Sequence, residues 1–175
     1  MTDDPSTGAE PAPPPIDSRS GFADALRWGF ERAMHGGGPA SRSRRIVCVD
    51  PDFAEWPLDA SELHRELTAW LKGGARQLVL LAASYDEVPR RHARFLAWRR
   101  LFTHAVFPFA APEDVAASLP TLLFDDDGTL VRLIDPVHWR GRASTDLRSA
   151  VPWREQVDAV LQRSEAAFPA QSLGL

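Results

Sequence analysis

The chain alternates between two patterns of apolar positions. Three segments repeat apolar side chains at three- and four-residue steps and are predicted to be helices: 21–34, 60–72 and 87–102. Each is followed by a short, continuous apolar run that is predicted to be a strand: 46–50, 77–82 and 105–109. The strand 77–82 is predicted to be buried on both faces, and Pro108 indicates that 105–109 is an edge strand or a strand end. Because these strands alternate with helices, we expect a core of parallel strands.

Polar residues and glycines mark the ends of the second predicted helix. Asp59 stands just before it, and Glu62 follows three residues later, which is the pattern of an N-terminal cap. Gly73 and Gly74 come directly after its last apolar residue and end it. We therefore expect Asp59 to cap the helix that it precedes.

A second kind of pattern follows residue 120. The β-rich runs 121–124 and 129–134 are joined by Asp125-Asp126-Asp127-Gly128, and an Asp-Gly pair between two such runs predicts a β-hairpin. After an irregular stretch, Pro152 fits the first turn of a last helix, whose apolar face includes Trp153 and Phe168. The predicted fold class is α/β, with a mixed, mostly parallel central sheet, helices on both faces and a late β-hairpin.

The domain organisation follows from where these patterns start and stop. Residues 1–19 are rich in proline, serine and threonine and are predicted to be a disordered tail, because this composition cannot bury enough apolar surface to order it. Residues 20–169 form a single α/β domain, and residues 170–175 form a C-terminal tail. The sequence contains no internal repeat of this unit.

Composition narrows the function classes. The 175 residues include a single cysteine, Cys48, which excludes an internal disulfide and a four-cysteine zinc site. The formal net charge of −4 does not favour a nucleic-acid partner, although it does not exclude one. No apolar run reaches the length of a membrane span, and the N-terminus lacks a signal-peptide pattern. We therefore expect a cytoplasmic protein with no membrane contact.

The hairpin turn contains the most specific local motif. Leu122-Leu123-Phe124-Asp125-Asp126-Asp127-Gly128-Thr129 resembles the first motif of the haloacid dehalogenase family. That resemblance implies a phosphohydrolase in which Asp125 is the nucleophile, Asp127 is the acid/base and Mg²⁺ is bound. Only about 46 residues follow, without a lysine or a clear βα unit, and the same four residues suit a tight turn. The phosphohydrolase is therefore kept as an alternative.

The order of elements over residues 21–168 resembles one half of a phospholipase D-like domain. The features in common are the strand ending Val49-Asp50-Pro51, the helix ending in Gly73-Gly74, the Leu-Val-Leu-Leu strand, the hairpin and the terminal helix. Active members of that family place His-x-Lys on the first hairpin strand, with an Asp five residues beyond the Lys. None of Asp125, Asp126 and Asp127 has a His and a Lys at those positions. The resemblance thus implies the scaffold without its catalytic pair.

An arginine-rich helix offers a third hypothesis. The predicted helix 87–102 contains five arginines that could contact an anion or a nucleic acid, with Phe95 and Trp98 interleaved: Arg90, Arg91, Arg94, Arg99 and Arg100. When these arginines are placed at 100° per residue they scatter around the helix, which is typical of a solvated face. Binding of an anion or nucleic acid through this helix therefore remains an alternative.

The leading hypothesis is a non-catalytic, phospholipase D-like α/β domain that binds a ligand or partner, or assembles as a dimer. We expect no catalytic residue, no resident metal and no cofactor, except Mg²⁺ under the phosphohydrolase alternative. The homodimer is implied by the resemblance, because single-repeat members of that family pair their halves.

Overall fold

A computed structural model describes residues 11–36 and 43–170. Its six α-helices are α1 (Arg19–His35), α2 (Ser61–Leu71), α3 (Val88–Arg91), α4 (Ala93–Arg99), α5 (Glu113–Ala116) and α6 (Leu147–Leu161). Its seven strands are β1 (Arg45–Asp50), β2 (Gln77–Ala82), β3 (Val106–Ala110), β4 (Thr121–Asp125), β5 (Leu130–Asp135), β6 (Arg140–Ser144) and β7 (Glu165–Ala166). A short 3₁₀ turn, Arg100–Phe102, follows α4.

All seven strands lie in one sheet, in the order β6-β5-β4-β1-β2-β3-β7. The pairs β1–β2 and β2–β3 are parallel, as expected for strands connected through helices. The pairs β1–β4, β4–β5, β5–β6 and β3–β7 are antiparallel. The α/β class, the mixed sheet and the late hairpin are confirmed, but the expectation of a mostly parallel sheet is wrong, because the late strands extend it antiparallel at both ends.

The two faces of the sheet are covered unequally. On the α1 face, side chains of alternate sheet residues such as Ile46 and Cys48 pack into a large core with α1, α2, α4 and the 53–58 loop. On the α6 face, the intervening side chains such as Val47 and Val49 form a smaller core under α6. Helices therefore lie on both faces, as predicted. On the α6 face, more of the outer strands is left uncovered by helices.

The close contact between α1 and the sheet depends on a glycine. A Cβ atom added at Gly29 would lie 2.7 Å from Val131 Cγ2 on β5 and 3.1 Å from Leu123 Cδ2 on β4. The absence of a side chain therefore lets α1 approach these two strands. Ser18 fixes the start of α1, because its hydroxyl accepts a hydrogen bond from the Gly21 N–H at 3.0 Å.

Asp59 does not cap α2. Ala60 is the N-cap residue of that helix and makes no side-chain capping bond. The Asp59 carboxylate instead accepts the N–H of Phe95 in the first turn of α4, at 2.9 Å. The sequence predicts a local cap, whereas the structure uses the same carboxylate to join two helices that are far apart in the chain.

The predicted helix 87–102 is broken at His92. His92 has φ −130° and ψ 52°, outside the helical region, and its Nε2 lies 2.8 Å from the carbonyl oxygen of Phe53. The break separates α3 from α4. A contact with a distant loop therefore outweighs the continuous helical pattern of the sequence.

The last helix and the tails also differ from prediction. Helix α6 begins at Leu147, capped by Asp146, so Pro152 lies inside it; the helix ends at Leu161, well before Phe168. Ile16 is buried and bridges Gly141 of β6, so the segment 1–19 is not disordered throughout. Residues 1–10 of the predicted N-terminal tail and 171–175 of the C-terminal tail lie outside the described residues.

Candidate functional site

The first aspartate of the hairpin turn is a buried hydrogen-bond acceptor. Asp125 is 3% exposed, and its Oδ1 accepts the N–H groups of Asp127 at 3.0 Å and Thr129 at 2.8 Å. Burial raises the pKa of the Asp125 carboxyl, and the bonds from Thr129 and Asp127 oppose that shift. This carboxylate closes the turn between β4 and β5.

The next two aspartates fasten the turn to the segment before β1. Asp127 Oδ2 accepts the Ser43 N–H at 3.1 Å. Asp126 Oδ2 accepts the N–H groups of Arg44 at 3.3 Å and Arg45 at 3.1 Å. All three carboxylates therefore bind backbone amides, which is a structural role.

This geometry does not suit the magnesium site of the phosphohydrolase alternative. A hard cation needs several free carboxylate or carbonyl oxygens converging on one point. Within residues 11–36 and 43–170, no three or more His, Cys, Asp and Glu side chains are placed together to hold a metal ion. The structure therefore does not assemble Asp125 and Asp127 into the predicted catalytic pair.

The five arginines at 90–100 are dispersed over α3, α4 and the following turn. Arg90 and Arg91 form ion pairs with Glu87. Arg99 is 4% exposed, beneath Phe168, and Arg100 Nε donates to the Ala170 carbonyl at 3.2 Å. Arg94 is exposed. The structure does not bring these side chains together on one surface.

A different set of arginines does share a surface, on the outer strands of the α6 face. Arg132 of β5 and Arg142 of β6 are direct partners in the antiparallel ladder. Ala143 packs on the α1 face, so Arg142, and Arg140 two residues before it, project on the α6 side by alternation along β6. We call Arg132, Arg140 and Arg142 the β5–β6 arginine surface.

Among the described residues, no carboxylate forms an ion pair with this surface. Within the described part of the chain, none of its three arginines forms an ion pair or a side-chain hydrogen bond with another residue. Asp135 stands opposite Arg140 in the ladder, but its Oδ2 accepts a hydrogen bond from His138 Nδ1 at 2.7 Å. That bond lowers the pKa of the Asp135 carboxyl. Like charges directly opposite in a ladder are destabilising, so the pairing of Arg132 with Arg142 costs stability.

An aromatic ring orients the innermost of these arginines. The guanidinium carbon of Arg132 lies 4.3 Å from the ring centroid of Trp153 on α6. This cation–π contact holds the planar group without using its N–H donors. Arg132 therefore presents its donors next to Arg142, at the edge of the surface that α6 leaves uncovered.

Sequence reasoning missed this surface because it missed β6. The segment Arg140-Gly141-Arg142-Ala143-Ser144 lacks the β-branched and aromatic residues that mark strands. The available signal was the spacing of Arg140 and Arg142 around a glycine. A Cβ atom at Gly141 would collide with the backbone of Arg132 and Leu133, which indicates a close strand pairing there.

The fold and site together describe a mixed α/β sheet domain that presents unpaired arginines on an outer antiparallel strand pair. A solved structure with the same fold is that of TrmBL2, an archaeal chromatin protein described as showing a novel mode of DNA binding. The two chains are 12% identical, with a TM-score of 0.54 over 83% of this chain and 51% of TrmBL2. This chain therefore spans about half the length of that one. No protein-family model matches the sequence, and neither does any curated protein.

These findings correct the functional expectations. The phospholipase D-like function and the phosphohydrolase alternative are overturned, since the fold is shared with a chromatin protein and the hairpin aspartates bind backbone amides. The resemblance of element order to half of a phospholipase D-like domain stays a prediction, as does the homodimer. No helix in residues 11–36 and 43–170 is long and apolar enough to cross a membrane.

Proposed function

We propose that this chain binds the DNA backbone through the β5–β6 arginine surface. The observation on which the proposal rests is the cross-strand pairing of Arg132 with Arg142, two like charges without a counterion among the described residues. A phosphate between or beside the two guanidinium groups removes their repulsion, and arginine forms bidentate hydrogen bonds with phosphate oxygens.

The likeness to a chromatin protein described as binding DNA supports this choice of partner. The net charge of −4 argued against nucleic acid, but binding depends on the local potential at the contact surface. The three arginines lie on one outer strand pair. Asp135, opposite Arg140 in the ladder, accepts the backbone N–H of His138 in a turn. The chain thus presents a small basic surface on an acidic body.

The size of the surface determines the kind of binding. Three arginines reach about three phosphates, and nothing in the pattern selects a base, so we expect sequence-independent binding in the range of about 10⁻⁴ to 10⁻⁶ M. Three phosphate contacts correspond to a slope of roughly −2.7 in a plot of log K against log salt, at about −0.9 per contact.

The test is fluorescence anisotropy with a labelled duplex of about 20 base pairs, at salt concentrations from about 50 to 200 mM. We expect Arg140→Gln combined with Arg142→Gln to reduce the salt slope to roughly −0.9, and to weaken binding at low salt by tenfold or more, because two contacts are lost. The matched control is Arg90→Gln combined with Arg94→Gln, which removes the same charge from α3 and α4.

The control separates local contacts from overall charge. If both double variants weaken binding equally, the β5–β6 arginine surface is not the contact site. If the wild-type chain binds no duplex even at the lowest salt, the proposal of DNA binding is wrong.

A further inference from the structure

Arg99 is a buried cation, and two of its guanidinium nitrogens lack a hydrogen-bond partner among the described residues. It lies near the end of α4 and is 4% exposed. Within residues 11–36 and 43–170, its Nε and Nη1 atoms have no hydrogen-bond partner. Buried guanidinium groups are normally paired with an anion or bonded to carbonyl groups, because an isolated charge is costly to remove from water. Burial accordingly lowers the pKa of Arg99.

The aromatic ring of Phe168 lies against this cation. The Arg99 guanidinium carbon lies 4.7 Å from the ring centroid of Phe168. The Phe168 ring also stacks on Tyr85, with centroids 5.0 Å apart and planes 5° from parallel. Tyr85 is itself held in place, because its hydroxyl donates to the Phe109 carbonyl at 2.8 Å and reaches the Leu80 carbonyl at 3.2 Å.

Phe168 belongs to the short segment 164–170, which we call the C-terminal strap. Its strand β7 has two residues and pairs only with the end of β3. Further bonds join the Ala167 N–H to the Pro108 carbonyl at 3.0 Å and Arg100 Nε to the Ala170 carbonyl at 3.2 Å. Phe168 has a positive φ of 49°, which is unfavourable for a residue with a side chain.

We infer that the strap covers a binding site for a small aromatic carboxylate, in which the ligand ring replaces Phe168 against Tyr85 and the ligand carboxylate binds Arg99. The Tyr85 ring supplies a flat, fixed stacking partner of the kind that planar rings prefer. The two unused donors of Arg99 supply the counterpart for the carboxylate oxygens. Phe168 occupies the position of the ligand ring, but it has no group that can accept the hydrogen bonds of Arg99. It therefore competes with the ligand for the contact with Tyr85 and not for the contact with Arg99.

The proposed carboxylate site is separate from the proposed DNA contact. The site lies near α4 and the β3 edge of the sheet, whereas the β5–β6 arginine surface lies at the opposite edge. The outcome of testing this site is therefore independent of the outcome of the duplex titration.

The single tyrosine of the chain makes the site directly observable. Chain labelled with 3-fluorotyrosine gives one ¹⁹F resonance, from Tyr85, which is followed during titration with benzoate. Acetate and benzamide serve as the carboxylate-only and ring-only probes. We expect benzoate to shift the resonance in a saturable way, and the other two probes to bind at least about tenfold more weakly, because each supplies only one of the two contacts.

Two variants and a control test the roles of the residues. Phe168→Ala removes the competing ring, so we expect benzoate to bind about tenfold more tightly. Arg99→Gln is expected to abolish saturable binding, while Arg94→Gln, an exposed arginine of the same helix, leaves it unchanged. The inference is overturned if benzoate causes no saturable shift in the Phe168→Ala chain, or if Arg99→Gln and wild type bind it equally.

Discussion

The two hairpins at the end of the sheet treat their charges in opposite ways. In the β4–β5 turn, the carboxylates of Asp125, Asp126 and Asp127 all accept backbone N–H groups. In the β5–β6 pair, Arg132 and Arg142 face each other without a counterion among the described residues. In this chain, the motif with the most charged residues is therefore not the one that offers free charges to a ligand. Charged groups that have partners within the protein stabilise the fold, and charged groups without such partners are available to bind a ligand.

The largest effect expected from this comparison is on stability. Asp125→Ala leaves the buried N–H of Thr129 and the part-buried N–H of Asp127 without their acceptor. We expect it to lower the free energy of unfolding by about 3 kcal/mol, because hydrogen bonds to a charged acceptor contribute roughly 1.5–3 kcal/mol each. Urea unfolding measures this loss. Asp86→Ala, at an exposed position, is the control and is expected to change stability by less than about 0.5 kcal/mol.

A smaller expected effect is the dependence of the free energy of unfolding on pH. Because burial raises the pKa of Asp125 in the folded chain, the folded state binds this proton more readily than the unfolded state. The stability contributed by Asp125 therefore increases as pH falls from neutral towards the unfolded-state pKa, and it levels off below that value.

Asp125→Asn cannot titrate, so it isolates this contribution. We expect the stability of the wild type relative to this variant to increase between pH 7 and about pH 4, measured by urea unfolding at each pH. The other carboxyls are present in both proteins and cancel in the difference. A stability difference that stays constant over this range would contradict the assignment of Asp125 as a buried titrating group.

The smallest effect tests how Arg132 is oriented. Trp153→Leu keeps an apolar side chain under Arg132 but removes the cation–π contact, which is worth about 0.5–1 kcal/mol at an exposed site. We expect duplex affinity to fall roughly two- to fivefold with an unchanged salt slope, since no phosphate contact is lost. A steeper or shallower slope in the anisotropy titration would mean that Trp153 does more than orient the arginine.

Sequence patterns predicted correctly those elements that depend on residues close together in the chain. The turn 125–128 was predicted from its Asp-Gly chemistry, and the strand 46–50 from its continuous apolar run, and both are present. The break at His92 was not predicted, because it depends on the Phe53 carbonyl some 39 residues away. The β5–β6 arginine surface was missed for a similar reason, since Arg132 and Arg142 become neighbours only when β6 pairs with β5.

The hydrogen bond from Phe95 to Asp59 has a consequence for the order in which this chain folds. The first turn of α4 receives its acceptor from a residue 36 positions earlier, so α4 is incomplete until the loop that carries Asp59 has docked. Such non-local contacts form late, because closing a long loop costs entropy before any contact compensates for it. We expect α4 and that loop to gain and lose their structure together, as one cooperative unit.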